Sequence, residues 1–290
     1  MLKTENSVVP TLSRSAPVRV YEILIVWMVV TVAWHEACTY VGSGITNFIY
    51  LQWIGIAITM IILSKNFLHR ENLTFAKMMG NKITRSARIE LVIVIMVTVL
   101  SGIACWALLV LFSAQINVEW AYRHWNLVSA SAFEETKWLR SWLVLEAMTT
   151  VLIGPIIEEI IFRGFILRRL REKYQLSYGI LASSFVFGVF HIDQSFLSSF
   201  VHGIIYAILA VRFASLYAPM FVHGAYNAII FFIGRGYGIS LVAEKSQIDS
   251  IGYWLPELAL LPFCMMALVW YWKMCFRTNE VALPALVQRG

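Results

Sequence analysis

The stretch GPIIEEIIFRGF, Gly154 to Phe165, sets two carboxylates and a guanidinium inside an otherwise apolar run. What Glu158, Glu159 and Arg163 cost depends on where that run sits. It belongs to a mainly apolar block over 139–167 that stops at Arg168, Arg169, Arg171 and Lys173, the pattern of a helix leaving a membrane at a charged surface. Counted back from Arg168, Glu158 lies about 15 Å deep at the helical rise, near the middle of a hydrocarbon core about 30 Å thick. Each charge there costs about 2.5–3.5 kcal/mol on insertion scales. A helix tolerates this only if the groups face protein or water and find partners. Glu159 and Arg163, four apart, share a face and can pair. Glu158 is rotated by about 100° and stays available for another task. A structural ion pair therefore explains Glu159 and Arg163 well and Glu158 less well. Pro155 removes an N–H and frees the Val151 carbonyl, which predicts a bend that admits water.

The whole chain supports the membrane reading. Its 290 residues are 59% hydrophobic and only 14% charged, against about half and a quarter in soluble domains. Apolar blocks predict an all-α, polytopic membrane bundle of about eight transmembrane helices, near 21–41, 45–64, 90–114, 139–167, 178–195, 197–213, 215–234 and 252–272. A short hairpin at Gly42–Gly44 and a tight break around Ser195 join adjacent spans. Three regions are expected: N-terminal helices with a basic loop over 1–137, a helical core over 138–234 and a last span with its tail over 235–290. Lys65, Arg70, Lys77, Lys82, Arg85 and Arg88 follow the second span, and Lys273 and Arg277 the last, whereas Gln115 to Thr136 holds Glu119, Glu134 and Glu135 against Arg123. This asymmetry predicts an integral, multi-pass protein with both termini cytoplasmic. The net charge of +6 then reads as loop bias toward anionic lipid, with membrane lipids as partners and no nucleic acid. Trp138, Trp142 and Trp254 are expected as outer interfacial anchors, Trp270 and Trp272 as inner ones. Leu68 to Ile83 reads either as an amphipathic surface helix or as a solvated loop. The polar start, Met1 to Pro17, predicts no cleavable signal peptide. Cys38, Cys105, Cys264 and Cys275 lack CxxC spacing, which argues against a disulfide framework or zinc ribbon.

The same depth count places three more polar residues near Glu158. His191 lies about 20 Å along the fifth span from Tyr178, and His223 and Asn227 about 12 and 18 Å into the seventh, on one face. The expectation is a polar cavity near the midplane. Glu158 with His191 can hold and deprotonate a water, and His223 with Asn227 can offer N–H donors to the oxyanion that attack on a carbonyl creates. The product is amide hydrolysis inside the membrane. Glu158, His191 and His223 can equally ligate a divalent metal such as zinc, so a metal cofactor and none both stand. Phe187, four residues before His191, either packs on the imidazole or faces lipid. His202 in FVHGIIY receives no role. His35 and Glu36 begin an HExxH pattern, but the fifth position is Thr39, and the zincin reading fails.

The segments EEIIFR at Glu158–Arg163, FGVFH at Phe187–His191 and HGAYN at His223–Asn227 resemble the signatures EExxxR, FxxxH and HxxxN. In that order they mark the CAAX protease and bacteriocin-processing family of intramembrane endopeptidases, of the Ras-converting, type II CAAX prenyl endopeptidase kind. The similarity runs from about Trp138 to Ile233. It implies an eight-helix core with a cytosol-facing cavity, and a membrane-bound or lipidated protein or peptide as substrate. It further implies Glu158 as base, Glu159 and Arg163 as support, His191 on the water, and His223 with Asn227 on the oxyanion. The family is described both as metalloproteases and as metal-free glutamate proteases. The short termini suggest a prokaryotic plasma membrane. Two other readings compete: a non-catalytic scaffold or bacteriocin-immunity partner, and a proton-coupled transporter. The second would gain from an internal repeat, and the sequence has none.

Overall fold

A computed structural model describes residues 17–42, 48–130, 140–233 and 244–278. The described residues are mainly helical, with no strand beyond one isolated bridge, Gly80 to Ser215. Five helical stretches are long and apolar enough to cross a membrane: Val20–Tyr40, Leu51–Arg70, Ala87–Ile116, Ser195–Phe213 and Ile251–Phe276. The chain is an all-α integral membrane bundle.

In chain order the helices are α1 (Val20–Gly42), α2 (Phe48–Arg70), a five-residue α3 (Phe75–Met79), α4 (Ala87–Ile116) and α5 (Val118–Ala130). A long interrupted rod comes next: α6 (Arg140–Ala147), a π turn (Met148–Ile153), α7 (Gly154–Glu159), a second π turn (Ile160–Leu167) and α8 (Arg168–Lys173). The backbone stays right-handed helical at each of these junctions. After it come α9 (Leu176–Val189), α10 (Ile192–Phe213), α11 (Tyr217–Phe231), α12 (Ile251–Leu258) and α13 (Leu260–Thr278).

Several expectations need correction. Gln115–Thr136 is not all loop, because α5 occupies Val118–Ala130. The fifth span ends early: α9 stops at Val189, and His191 stands in the break before α10 with φ −120° and ψ 25°. The expected break at Ser195 is present as a non-helical residue inside α10. The second span runs on to Arg70, so Lys65 and Arg70 are helical rather than in a loop. Leu68–Ile83 is neither a surface helix nor a loose loop, since Met78 and Met79 of α3 are buried in the core. Trp254 is no interfacial anchor. It is 2% exposed, and its indole N–H donates to the Ile248 carbonyl. Trp270 is exposed as expected. The Ser43–Gly44 end of the hairpin, Trp138, Glu134 and Glu135 lie outside the described residues, as do the side chains of Trp142 and Arg277. The four cysteines are free.

Packing falls into three apolar cores. One joins α1, α2, α3, the second π turn and α9, through residues such as Ile23, Ile56, Met78, Phe162 and Phe187. A second joins α4, α10, α11 and α13 around Leu91, Tyr206, Ile208 and Val222. The third, around Trp125 and Trp254, caps the far end of α4. There Glu119 of α5 is held below the usual carboxylate range by Lys245 and by Arg123.

Charged contacts gather at the opposite end. Arg70 pairs with Glu22 at 2.6 Å, while Glu71 receives Arg168 and Arg169. Arg212 and the Tyr271 hydroxyl both bond Glu90, which ties α10 and α13 to α4.

Helices α9 and α10 run as a close antiparallel hairpin because Gly203 lets them touch. A Cβ at Gly203 would stand 2.9 Å from the Ser184 Cβ and 3.0 Å from its Cα. Gly203→Ala is therefore expected to destabilise the fold by about 1–3 kcal/mol, read as a lower Tm in detergent. An unchanged Tm would mean that the hairpin is not packed this closely.

Candidate active site

The long rod presents Glu158 and Glu159 in different directions, and each finds a separate set of partners. Glu159 is 0% exposed and Arg163 4%. The Arg163 guanidinium donates to Glu159 Oε1 at 2.9 Å and to the Gly203 carbonyl of α10 at 3.0 Å. The expected pair is present, and it also bridges to a neighbouring helix. Aromatic rings enclose the guanidinium: Phe187 at 4.6 Å, Tyr206 at 5.3 Å and Phe162 at 5.9 Å from Cζ to ring centroid. Such contacts favour a desolvated cation.

Glu159 Oε1 also meets His223 Nδ1 at 3.0 Å. An ionised carboxylate only accepts, so Nδ1–H donates, and in the neutral imidazole His223 Nε2 holds a lone pair. That Nε2 lies 3.9 Å from Glu158 Oε2. The Tyr206 ring stacks on the His223 imidazole at 4.6 Å and 20° and sets its plane.

His191 arrives differently. At the end of α9 its Nδ1 lies 2.8 Å from the Phe187 carbonyl. A carbonyl also only accepts, so Nδ1–H donates and Nε2 again holds a lone pair, 3.7 Å from Glu158 Oε2. Phe187 packs on the ring at 4.4 Å and is itself 2% exposed. It steadies the imidazole and does not face lipid.

Three atoms therefore converge: Glu158 Oε2, His191 Nε2 and His223 Nε2. With both imidazoles neutral every one is an acceptor, and both separations exceed hydrogen-bonding distance. Glu158 Oε2 is buried without a hydrogen-bond partner among the described residues. Lone pairs aimed at one another repel unless a donor or a cation stands between them. A water, which brings two O–H donors, answers that need. The donor set also has the chemistry of a zinc site, with each imidazole anchored through its other nitrogen in the manner of metal ligands. Among the described residues, however, no three His, Cys, Asp or Glu are gathered as a metal cluster.

Asn227 lies one turn beyond His223 on α11, and its amide bonds elsewhere. In the first π turn the Gly154 N–H bonds the Thr149 carbonyl, five residues back. At that spacing the Thr150 carbonyl faces Pro155, which has no N–H. Asn227 Nδ2 supplies the missing donor at 2.8 Å. The carbonyl that proline leaves open in this register is thus Thr150, one residue before the Val151 expected from an α-helical count. Gly224 permits the approach of α11, since a Cβ there would stand 2.8 Å from the Val151 carbonyl oxygen.

His202, which received no role from the sequence, is buried in α10, with Nε2 3.0 Å from the Thr98 carbonyl. Tyr206 was missed altogether. A phenol one helical turn after His202, in an otherwise apolar stretch, was the available signal. Trp27, Trp53, Ile157 and Glu158 are among the residues lining a cleft between α1, α2 and the rod.

Comparison with known proteins agrees with this architecture. Residues 140–229 match the family model described as type II CAAX prenyl endopeptidase Rce1-like. Over 87 residues the chain is 34% identical to the protein named "Putative membrane peptidase YdiL" of Bacillus subtilis (strain 168), a match covering 30% of this chain and 36% of that protein. The chain thus matches little more than a third of that relative's length. No solved structure gives a significant match. The resemblance read from the three motifs agrees with the family match: residues 140–229 are similar to the Rce1-like family model.

Loss of the guanidinium leaves Glu159 charged in a site with no exposure. Arg163→Ala is expected to cost about 3–5 kcal/mol, seen as loss of the folded species in size-exclusion chromatography or a collapsed Tm. Near-wild-type stability would show that the pair is not desolvated.

Proposed function

We propose that this chain is an intramembrane endopeptidase that hydrolyses a peptide bond of a membrane-associated or prenylated protein or peptide, with Glu158 as general base. The observation that carries the reading is the acceptor-only pocket formed by Glu158, His191 and His223. A water held there points its hydrogens at Glu158 Oε2 and an imidazole Nε2. Its oxygen lone pair is thereby directed at an incoming carbonyl carbon.

As the C–O bond forms, Glu158 takes a water proton and the carbonyl oxygen becomes an oxyanion. Protonated Glu158 then passes that proton to the departing amine, and the C–N bond breaks. One carboxyl group thus serves as base in the first step and as acid in the second. Oxyanion stabilisation falls to Asn227, whose amide has a second N–H beyond the one on Thr150. If zinc is bound, Glu158, His191 and His223 would hold it, and it would polarise the water. A small apolar cleft lined by Trp27 and Trp53 lies beside Glu158 on the α1–α2 side.

The test is cleavage by purified, detergent-solubilised protein of a farnesylated CAAX peptide and of an unmodified membrane peptide, each with and without chelator. Glu158→Gln and His191→Ala are each expected to lower kcat/KM by about 10²–10⁴-fold with Tm unchanged. Full activity in either variant, or no cleavage by the wild type alongside scaffold function retained in Glu158→Gln cells, would overturn the proposal. A chelator-sensitive rate would assign the water to a metal, and an insensitive one to Glu158 alone.

A further inference from the structure

Two sets of basic residues at the charged end behave differently, beside the scattered exposed lysines Lys65, Lys173 and Lys273. Arg70, Arg168, Arg169 and Arg212 are spent on Glu22, Glu71, Glu172 and Glu90. Lys77, Lys82, Arg85 and Arg88 are all exposed, and among the described residues none has a carboxylate partner. From Asn72 to Ile89 the sequence holds no acidic residue at all. The segment also exposes Phe75 at 45% and Ile89 at 75%, so apolar surface accompanies the free charge.

This segment is a fixed strap. It joins α2, which ends at Arg70, to α4, which begins at Ala87, so both of its ends leave membrane-crossing helices at the same face. Thr74 caps α3 through the Lys77 N–H, and Met78 is fully buried. Met78 lies against Gly164, where a Cβ would stand 3.0 Å from its Sδ. The Leu216 N–H donates to the Met79 carbonyl at 2.9 Å, and the Asn81 N–H donates to the Ala214 carbonyl at 3.0 Å. Gly80 makes that junction possible: its φ is +73°, and a Cβ would come within 2.1 Å of the Ala214 oxygen. The strap is therefore fastened to the turn that starts α11 and to the π turn that follows Glu158 and Glu159.

We propose that the strap Phe75–Arg88 is a docking surface for the anionic lipid headgroups of the leaflet it borders. Seating on that leaflet holds the base of α11 and the second π turn in place. The occupant follows from position and charge. A strap anchored at both ends to membrane spans sits at the headgroup level, where clustered cations beside exposed apolar groups recognise anionic lipid. The inference stands whether or not the chain is a peptidase.

The probe is the purified full chain in nanodiscs of phosphatidylcholine alone or with a third phosphatidylglycerol, assayed without any substrate. Native mass spectrometry should find phosphatidylglycerol retained over phosphatidylcholine by at least about tenfold. Tm and hydrogen-exchange protection over 75–89 and 214–218 should rise with it, because a ligand bound to the folded state stabilises that state. Raising salt toward 1 M, where the screening length falls to about 3 Å, should remove most of the preference. The combined variant Lys77→Gln, Lys82→Gln, Arg85→Gln and Arg88→Gln changes only exposed side chains. It should keep its Tm in phosphatidylcholine and lose both the selectivity and the added protection. Equal retention of the two lipids by the wild type, as expected if the strap served an acidic protein partner, would overturn the proposal. So would selectivity that survives in the combined variant, or selectivity with no gain in protection over 214–218.

Discussion

Arg163 and Glu159 form an ion pair with almost no solvent access, and the polar site is assembled around it. Burying both charges carries a desolvation penalty of several kcal/mol per ion, which their mutual attraction alone does not reliably repay. The structure offsets it with further partners. The guanidinium reaches the Gly203 carbonyl and three aromatic faces, and the carboxylate gains the His223 N–H. The added polar contacts come from two other helices. Satisfying the pair is therefore the same act as docking α10 and α11 onto the long rod. Its consequence for chemistry is indirect: with Nδ1 committed to Glu159, His223 has only Nε2 left to show to Glu158.

His191 reaches the same state by an unrelated route. Its Nδ1 is committed to a backbone carbonyl at a helix end, four residues back along its own chain. Two histidines, one held by a side-chain charge and the other by the main chain, thus both turn acceptor nitrogens toward one carboxylate oxygen. Hydrogen bonding between them is impossible while all three are unprotonated. An arrangement serving packing alone would set an N–H against the oxygen, because an unmet buried acceptor costs about 1–3 kcal/mol. The unmet acceptors argue for a guest that brings protons or positive charge. Glu159 Oε1 has two donors, Arg163 and His223, while Glu159 Oε2 is buried without one, as Glu158 Oε2 is. What sets the two carboxylates apart is that only Glu158 faces both imidazole Nε2 atoms.

Much of this could be read from the sequence, for identifiable reasons. The cost of charge in lipid made Glu159 and Arg163 visible as a pair, and four-residue spacing gave their geometry. Composition and the placement of bases gave a helical membrane bundle with one charged end. The errors came where helical counting assumes an unbroken helix. His191 was placed inside a span, but its backbone has left the helix. Pro155 was expected to open the Val151 carbonyl, but π spacing moves the open position to Thr150. Hydropathy could not show that Trp254 faces inward, since an indole suits an interface or an interior that offers a carbonyl. Nor could it find the burial of Met78 and Met79, because their pocket is made by Gly164 and Leu216, far along the chain. Tyr206 was hidden for a related reason: its part in the site is to stack on an imidazole from another helix, and no local spacing encodes that.

The two π turns connect these observations. In a regular α-helix every carbonyl short of the end is paired, and a proline opens one of them without choosing what fills it. Here five-residue spacing before Pro155 leaves the Thr150 oxygen for Asn227, on the same helix as His223. Helix α11 is thus held at two heights, by Glu159 through His223 and by Thr150 through Asn227, with Gly224 between them allowing contact with the Val151 carbonyl. One fastening alone would leave α11 free to pivot about it, and an imidazole one turn away would swing with it. With two, the distance from His223 Nε2 to Glu158 becomes a property of the backbone. Irregularity in the rod is what makes the second fastening available, so the departure from α-helical geometry and the precision of the polar site have one cause.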